Sequence, residues 1–309
     1  MNRDSASSRE TAVIFLAGFL GVPGEFDAVR KRLPVPSLEI LPEALLPGTP
    51  PDRGSHPPDF CFREARRKLR EIIGGCGFPR VCVYGYSLGG RLALYALFGE
   101  TPDGGIPDPR EFRKDWPNVT SLVLESAGTG IRDPEERSRR YLHDAELARK
   151  FERDFSPELL DLWYRQPVFA GLSPALRENL LRKRRNLQGS IAASVLLGFS
   201  TGVMPWLLPA LSRPPVPVLL LSGDRDPKYT ALFQSIRSPG ITHVTVSGAG
   251  HNIHDELPEK IAALIPDFFF RYLTFLRASL LISMAGFPLK GAGDVSGVSG
   301  DRSIIAGIT

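Results

Sequence analysis

Residues 80–89 constrain this chain more than any other stretch. Arg80-Val-Cys-Val-Tyr84 is an apolar run of strand length, Gly85-Tyr-Ser-Leu-Gly89 follows with no spacer, and Leu88 to Phe98 continues as a helical pattern. A strand that turns directly into a helix around G-x-S-x-G sets the serine on a sharp turn above the sheet. Glycines on both sides remove the steric conflict. The helix start behind Ser87 offers partial positive charge and free N–H groups to a developing oxyanion. The plain alternative is a glycine-rich turn of an α/β protein, and the surroundings decide between the two.

Those surroundings alternate. Ala12 to Ala17 is a short apolar run ending at Gly18, as expected of a strand buried on both faces. Glu25 to Leu33 reads as helix, Leu38 to Leu41 as a weak strand and Leu46 to Pro58 as a Pro/Gly loop. Phe60 to Ile73 is an Arg-rich amphipathic helix, Gly99 to Pro117 a polar loop and Val119 to Glu125 a strand. Alternating strands and helices imply a parallel sheet covered by helices.

From about Asp133 to Leu211 only helical patterns occur: Pro134–Asp154, Pro157–Tyr164, Pro174–Asn186 and Gly189–Gly198. Alternation resumes with Val216–Ser222 (strand), Tyr229–Ser238 (helix), Ile241–Val246 (strand) and Leu257 to about Leu276 (helix). The expected organisation is a core built from residues 1–130 and 214–280, a helical cap over 131–213, and a Gly/Ser-rich tail at 281–309 read as disordered.

A serine at an elbow needs a base, and the base needs an orienting acid. The chain order expected for such a site is Ser, Asp or Glu, then His. Asp226 lies just beyond the strand Val216–Ser222, in Gly223-Asp-Arg-Asp226, and His251 just beyond Ile241–Val246, in Gly248-Ala-Gly-His251. Both therefore reach the carboxyl edge of the sheet, where open α/β sheets bind ligands. Asp224 is the rival acid, and Asp226 is preferred. His254 raises the thought of a metal pair with His251, but no further ligands are seen to converge in the sequence, so a loop hydrogen bond is expected and no metal or cofactor is called for. The amides of Phe19 and Leu88 are the candidate oxyanion donors, Phe19 also serving for packing. Arg91 stands one helical turn beyond Ser87 on the same face; its alternative is a surface Arg with its head in water. The fold class expected is α/β, of the α/β-hydrolase fold: a mostly parallel sheet flanked by helices, with a helical cap insertion.

Charge excludes some partners. The net charge is +4, and residues 131–213 carry 14 Lys/Arg against 10 Asp/Glu, which accounts for the whole excess. A local excess without interleaved aromatics suits a small anionic ligand better than nucleic acid. Three cysteines, without C-x-x-C spacing, read as reduced thiols of a cytoplasmic protein. The first ten residues lack the apolar core of a signal peptide, and the apolar region Phe268–Leu289 is broken by Arg271 and Arg277, so no membrane span is expected. Oligomeric state is not legible.

Five stretches together resemble one family. They are Gly18-Phe-Leu-Gly21; Gly85-Tyr-Ser-Leu-Gly-Gly-Arg-Leu-Ala93; Glu135-Glu-Arg137 with Arg140; Trp163-Tyr-Arg-Gln-Pro-Val-Phe-Ala170; and Gly223-Asp-Arg-Asp-Pro-Lys-Tyr229 with Gly250-His-Asn-Ile-His254. The chain resembles 2-succinyl-6-hydroxy-2,4-cyclohexadiene-1-carboxylate (SHCHC) synthase, the MenH enzyme of menaquinone and phylloquinone biosynthesis, over about residues 11–275. The elbow and Gly-His-Asn are generic to the superfamily. The segment from Trp163 and the Arg following the elbow are far more specific.

The resemblance implies a lyase. It would eliminate pyruvate from 2-succinyl-5-enolpyruvyl-6-hydroxy-3-cyclohexene-1-carboxylate, with Ser87, activated by His251 and Asp226, removing a ring proton. It also implies that Arg91, Arg140 and Arg184 hold the substrate's carboxylates while Tyr86 and Trp163 line the pocket; arginine suits this because it binds carboxylates bidentately. On residue patterns alone, Arg140 and Arg184 read as solvated faces of cap helices. The chain departs from many relatives in having Ala17 where they have His before the oxyanion Gly-Phe, in the long Gly99–Pro117 loop, and in the tail. The competing readings are a serine ester or C–C-bond hydrolase acting on a small carboxylated substrate, and a non-catalytic binding protein, which a complete triad disfavours.

Overall fold

Six strands run parallel in one sheet, in the order β2-β1-β3-β4-β5-β6. The computed structural model describes residues 10–48, 57–99 and 105–269. In chain order its elements begin with β1 (Thr11–Leu16), α1 (Asp27–Arg30), β2 (Ser37–Ile40), α2 (Phe60–Gly75), β3 (Arg80–Tyr86), α3 (Leu88–Phe98), α4 (Pro109–Asp115) and β4 (Val119–Glu125). They continue with α5 (Pro134–Arg153), α6 (Pro157–Tyr164), α7 (Pro174–Arg184), α8 (Gly189–Gly198), β5 (Val218–Gly223), α9 (Pro227–Ser235), β6 (Ile241–Val246) and α10 (Ile253–Glu256). Residues 1–266 form one unit; of the second, residues 267–309, only 267–269 are described, and they are helical.

The inner strands β1, β3, β4 and β5 are buried almost throughout because both sheet faces are covered there, whereas the edge strands β2 and β6 are partly exposed. Side chains alternate across a strand, so Ile14, Leu16, Val81, Val83, Leu122 and Leu124 join Phe62, Leu69, Ile73 and Leu92 in one core cluster. On the other face Phe15 stacks on Phe26 at 4.7 Å and meets Tyr84 at 5.0 Å. Each such fully buried aromatic contributes roughly 1.5–3 kcal/mol of burial.

Between β4 and β5 the described secondary structure is entirely helical, and it keeps a cluster of its own. Ala148, Phe151, Leu160, Tyr164, Phe169, Leu180, Ala192 and Leu196 pack together with Leu20 from the turn after β1. Three of these helices start the same way. Asp133, Ser156 and Ser173 each accept a bond from an amide of the first turn, and proline follows each of them. Such caps satisfy donors that the helix itself leaves open, and proline at the first position wastes none.

Some expected boundaries move. The Gly99–Pro117 loop contains α4, which Asp108 caps by accepting from the Arg110 amide at 2.7 Å and which Phe112 and Trp116 anchor in the core. The helix expected over Glu25–Leu33 contracts to Asp27–Arg30, because Glu25 turns inward and Phe26 enters the core. The strand expected at Val216 starts at Val218, and the helix expected at Tyr229 starts at Pro227. The helix expected over Leu257–Leu276 is described only from 258 to 269, and the proposed tail 281–309 lies outside the described residues. Among the described residues no helix is long and apolar enough to cross a membrane.

Candidate active site

Ser87 sits at the carboxyl end of β3 with φ 50° and ψ −108°, outside the regions an L-residue prefers. The turn is tolerated because its glycines are crowded. A Cβ on Gly85 would lie 2.5 Å from Gly90 Cα, and one on Gly89 would strike the Leu16 carbonyl. Among the described residues two other non-glycine residues have positive φ, Leu20 at 62° after β1 and Ser126 at 48° after β4. All three strained residues lie where neighbouring strands leave the sheet, and such strain persists where the surroundings over-determine it.

Asp226 and His251 arrive at the same edge from β5 and β6. His251 Nδ1 is 2.7 Å from Asp226 Oδ2, and His251 Nε2 is 3.3 Å from Ser87 Oγ. An ionised carboxylate only accepts, so Nδ1 carries the proton and Nε2 faces the serine as a base. Asp226 Oδ1 accepts from the Tyr229 amide at 3.3 Å, capping α9. Asp224 is engaged elsewhere: its oxygens accept from the Gly248 amide at 3.0 Å and from Ser247 Oγ at 3.2 Å, bracing the loop before His251. The imidazole of His251 is enclosed by Tyr229 at 5.2 Å, Tyr86 at 5.4 Å and Phe169 at 5.5 Å.

The Leu88 amide opens α3 and has no carbonyl four residues back within the helix to accept from it. Across from it is the turn Gly18–Gly21, closed by the Gly21 amide on the Gly18 carbonyl at 3.1 Å. Phe19 in this turn packs on Trp163 at 4.8 Å and Phe151 at 5.7 Å. Gly18 is required there, since a Cβ would approach Tyr86 Cε1 to 2.7 Å.

The three arginines have different surroundings. Arg91 donates from Nη1 to the Phe199 carbonyl at 2.6 Å, and burial together with the nearby Arg140 lowers its pKa to about 10. Arg140 pairs with the buried Asp144 at 2.9 Å, and its side chain is 36% exposed. Arg184 is only 2% exposed, so it is not the solvated helix face that spacing allowed. Its Nη2 donates to Glu25 Oε1, while its Nε and Nη1 have no partner.

His254 also differs from the expected loop contact. It is fully buried, its Nδ1 donates to Glu125 at 2.9 Å, and Tyr84 donates to the same carboxylate. Contrary to the sequence reading, other ligand types do converge on it: donor atoms of Glu25, His254 and Asp255 lie within 4.8 Å of one another. Positive charge is already present there. Burial opposes the His254 cation, but Glu125 and Asp255 raise its pKa well above the usual value. The signal for this cluster was a glutamate ending an apolar strand at Glu125; Glu25 carried none.

Comparison with known proteins agrees with this geometry. The alpha/beta hydrolase family model matches residues 13–264. The chain is 36% identical over 208 residues to the SHCHC synthase of Yersinia pseudotuberculosis serotype O:3 (strain YPIII), covering 67% of this chain and 70% of that protein. The synthase of Yersinia pestis (strain Pestoides F) matches to the same extent. Among solved structures, MenH from S. aureus superimposes with a TM-score of 0.66 at 21% identity, covering 85% of this chain and 94% of that one. A thermophilic esterase from Thermogutta terrifontis gives 0.57 at 19% identity, covering 85% and 91%. A six-stranded parallel sheet bearing a strained serine, a histidine and an aspartate at its carboxyl edge is that of an alpha/beta hydrolase. Within that fold the chain belongs to the SHCHC synthase family.

Proposed function

We propose that this chain eliminates pyruvate from 2-succinyl-5-enolpyruvyl-6-hydroxy-3-cyclohexene-1-carboxylate to give SHCHC, the carbon–oxygen lyase step of menaquinone biosynthesis. The observation that carries this reading is Arg91, one helical turn beyond Ser87: it is half-buried, bonds the Phe199 carbonyl at 2.6 Å, and has no carboxylate partner among the described residues. A half-buried cation without a carboxylate partner favours an anion beside it. A substrate with several carboxylates supplies that anion, and a neutral ester does not.

In this mechanism His251 takes the Ser87 proton and Ser87 Oγ removes a ring proton. The electron pair released moves through the ring, and the C–O bond to the enolpyruvyl group breaks. The departing enolate leaves as pyruvate after protonation. Asp226 holds His251 in the required tautomer, and the Phe19 and Leu88 amides stabilise the negative charge. Arg91, Arg140 and Arg184 bind carboxylates, Tyr86 and Trp163 line the pocket, and residues 131–213 act as the cap. The protein works in the cytoplasm, without nucleic acid or membrane partner; the free thiols Cys61, Cys76 and Cys82 support that compartment.

The deciding experiment supplies the enolpyruvyl substrate and follows pyruvate release. Absence of release, together with rapid p-nitrophenyl ester hydrolysis and an acyl-enzyme burst, rejects the lyase in favour of a serine hydrolase.

A further inference from the structure

Arg184 and Glu25 come from opposite parts of the chain, one ending α7 (Pro174–Arg184) and the other in the loop after β1 (Thr11–Leu16). Both side chains are buried, with exposures of 2% and 1%. Glu25 uses both oxygens: Oε1 accepts from Arg184 Nη2, and Oε2 from the Val22 amide at 3.4 Å. Burial favours its neutral form, but Arg184 and His254 overcome this and hold its pKa at about 2. A carboxylate kept ionised in the interior fixes the cation it faces.

Arg184 uses only part of its capacity. Guanidinium has five N–H donors, and here Nε and Nη1 have no partner despite being buried. Buried donors are nearly always satisfied, and those that are not mark an absent ligand or water. The nearest aromatic face is Tyr164, 5.9 Å from the guanidinium carbon. Arg184 also lies within electrostatic range of Tyr86, whose ring is 5.4 Å from that of His251 and 4.5 Å from that of His254. Ring contacts link the guanidinium to the triad: Tyr164 lies 5.0 Å from Phe169, and Phe169 lies 5.5 Å from His251.

We propose that Glu25 is a positioning residue: by gripping Arg184 through one nitrogen it leaves the other donors aimed and free for a substrate carboxylate. This inference rests on the reading of Arg184 as a carboxylate clamp. Glu25 lies six residues beyond Phe19, so the loop that presents an oxyanion amide also sets the cap arginine.

The test measures KM and kcat for pyruvate release, with thermal melting, in Glu25→Gln, Glu25→Asp, Arg184→Gln and the Glu25→Gln/Arg184→Gln double variant. In Glu25→Gln, KM rises about tenfold or more, the loss expected for a charge-assisted contact, while kcat changes much less. The double variant is no worse than Arg184→Gln, because Glu25 acts through that residue. Glu25→Asp keeps the charge but withdraws it by one methylene, and gives an intermediate KM; this holds the test open if the glutamine variant fails to fold. An unchanged KM in folded Glu25→Asp or Glu25→Gln, or losses that multiply in the double variant, overturns the proposal. Absence of pyruvate release by the wild type rejects the function itself, and this inference with it. Normal wild-type release with an unchanged KM in the variants rejects this inference alone.

Discussion

Asp226 faces His251 with one carboxylate oxygen, at 2.7 Å from Nδ1, and caps the helix Pro227–Ser235 with the other. The helix terminus thus stabilises the ionised acid and fixes the direction from which it approaches the imidazole.

From that relationship, Asp226→Asn lowers pyruvate release by on the order of 10³–10⁴-fold, because an amide in this position favours the wrong tautomer. Asp224→Asn lowers it by less than about tenfold, since Asp224 braces only the loop at Ser247 and Gly248. Steady-state rates of the two variants are the check; equal losses would leave the acid unassigned to Asp226.

Ser87→Ala removes the base and lowers kcat by at least about 10³-fold. Substrate binding, measured by calorimetry with the inactive variant, stays near the wild-type KM. Near-normal turnover would sink the mechanism.

Arg91→Ala costs about 10–100-fold in kcat/KM for the carboxylated substrate, the range for a charge-assisted hydrogen bond. Toward p-nitrophenyl acetate the loss is below about threefold, since no anion is bound. Parallel assays on both substrates decide it, and equal losses count against the clamp.

Stability responds to acid through Glu25. Its folded pKa of about 2 lies below the usual 4.5, so the stabilisation is fully present above about pH 4.5 and is lost as pH falls through 2. Urea titrations should therefore show wild type and Glu25→Gln far apart at pH 6, narrowing below about pH 4.5 and closing near pH 2. A gap independent of pH would show that Glu25 acts through packing rather than charge.

The sheet and the triad were legible because their signals are local. An apolar strand running into Gly85-Tyr-Ser-Leu-Gly89 announces its own geometry, and Asp226 and His251 each follow a strand directly. The helices between β4 and β5 were legible for the same reason, since Asp133, Ser156 and Ser173 mark the starts of three of them. Helix α4 was obscured by its polar surroundings, although Asp108-Pro109 is a start signal of the same kind. What local reading missed are pairings across long separations. Glu25 meets Arg184, and Glu125 meets His254, only once the sheet has formed. Nothing near Arg184 in a run of four basic residues distinguishes the buried one from its exposed neighbours.

Strand β5 pairs with β4 from Leu122↔Val218 to Glu125↔Leu221, so residues 126–217 form one excursion between two adjacent strands. Closing a flexible loop costs only about 0.6 kcal/mol more for each doubling of its length. The scaffold is accordingly almost indifferent to how much chain leaves and re-enters at this seam. Insertion or replacement within residues 126–217 therefore leaves Ser87, His251 and Asp226 where the strands put them.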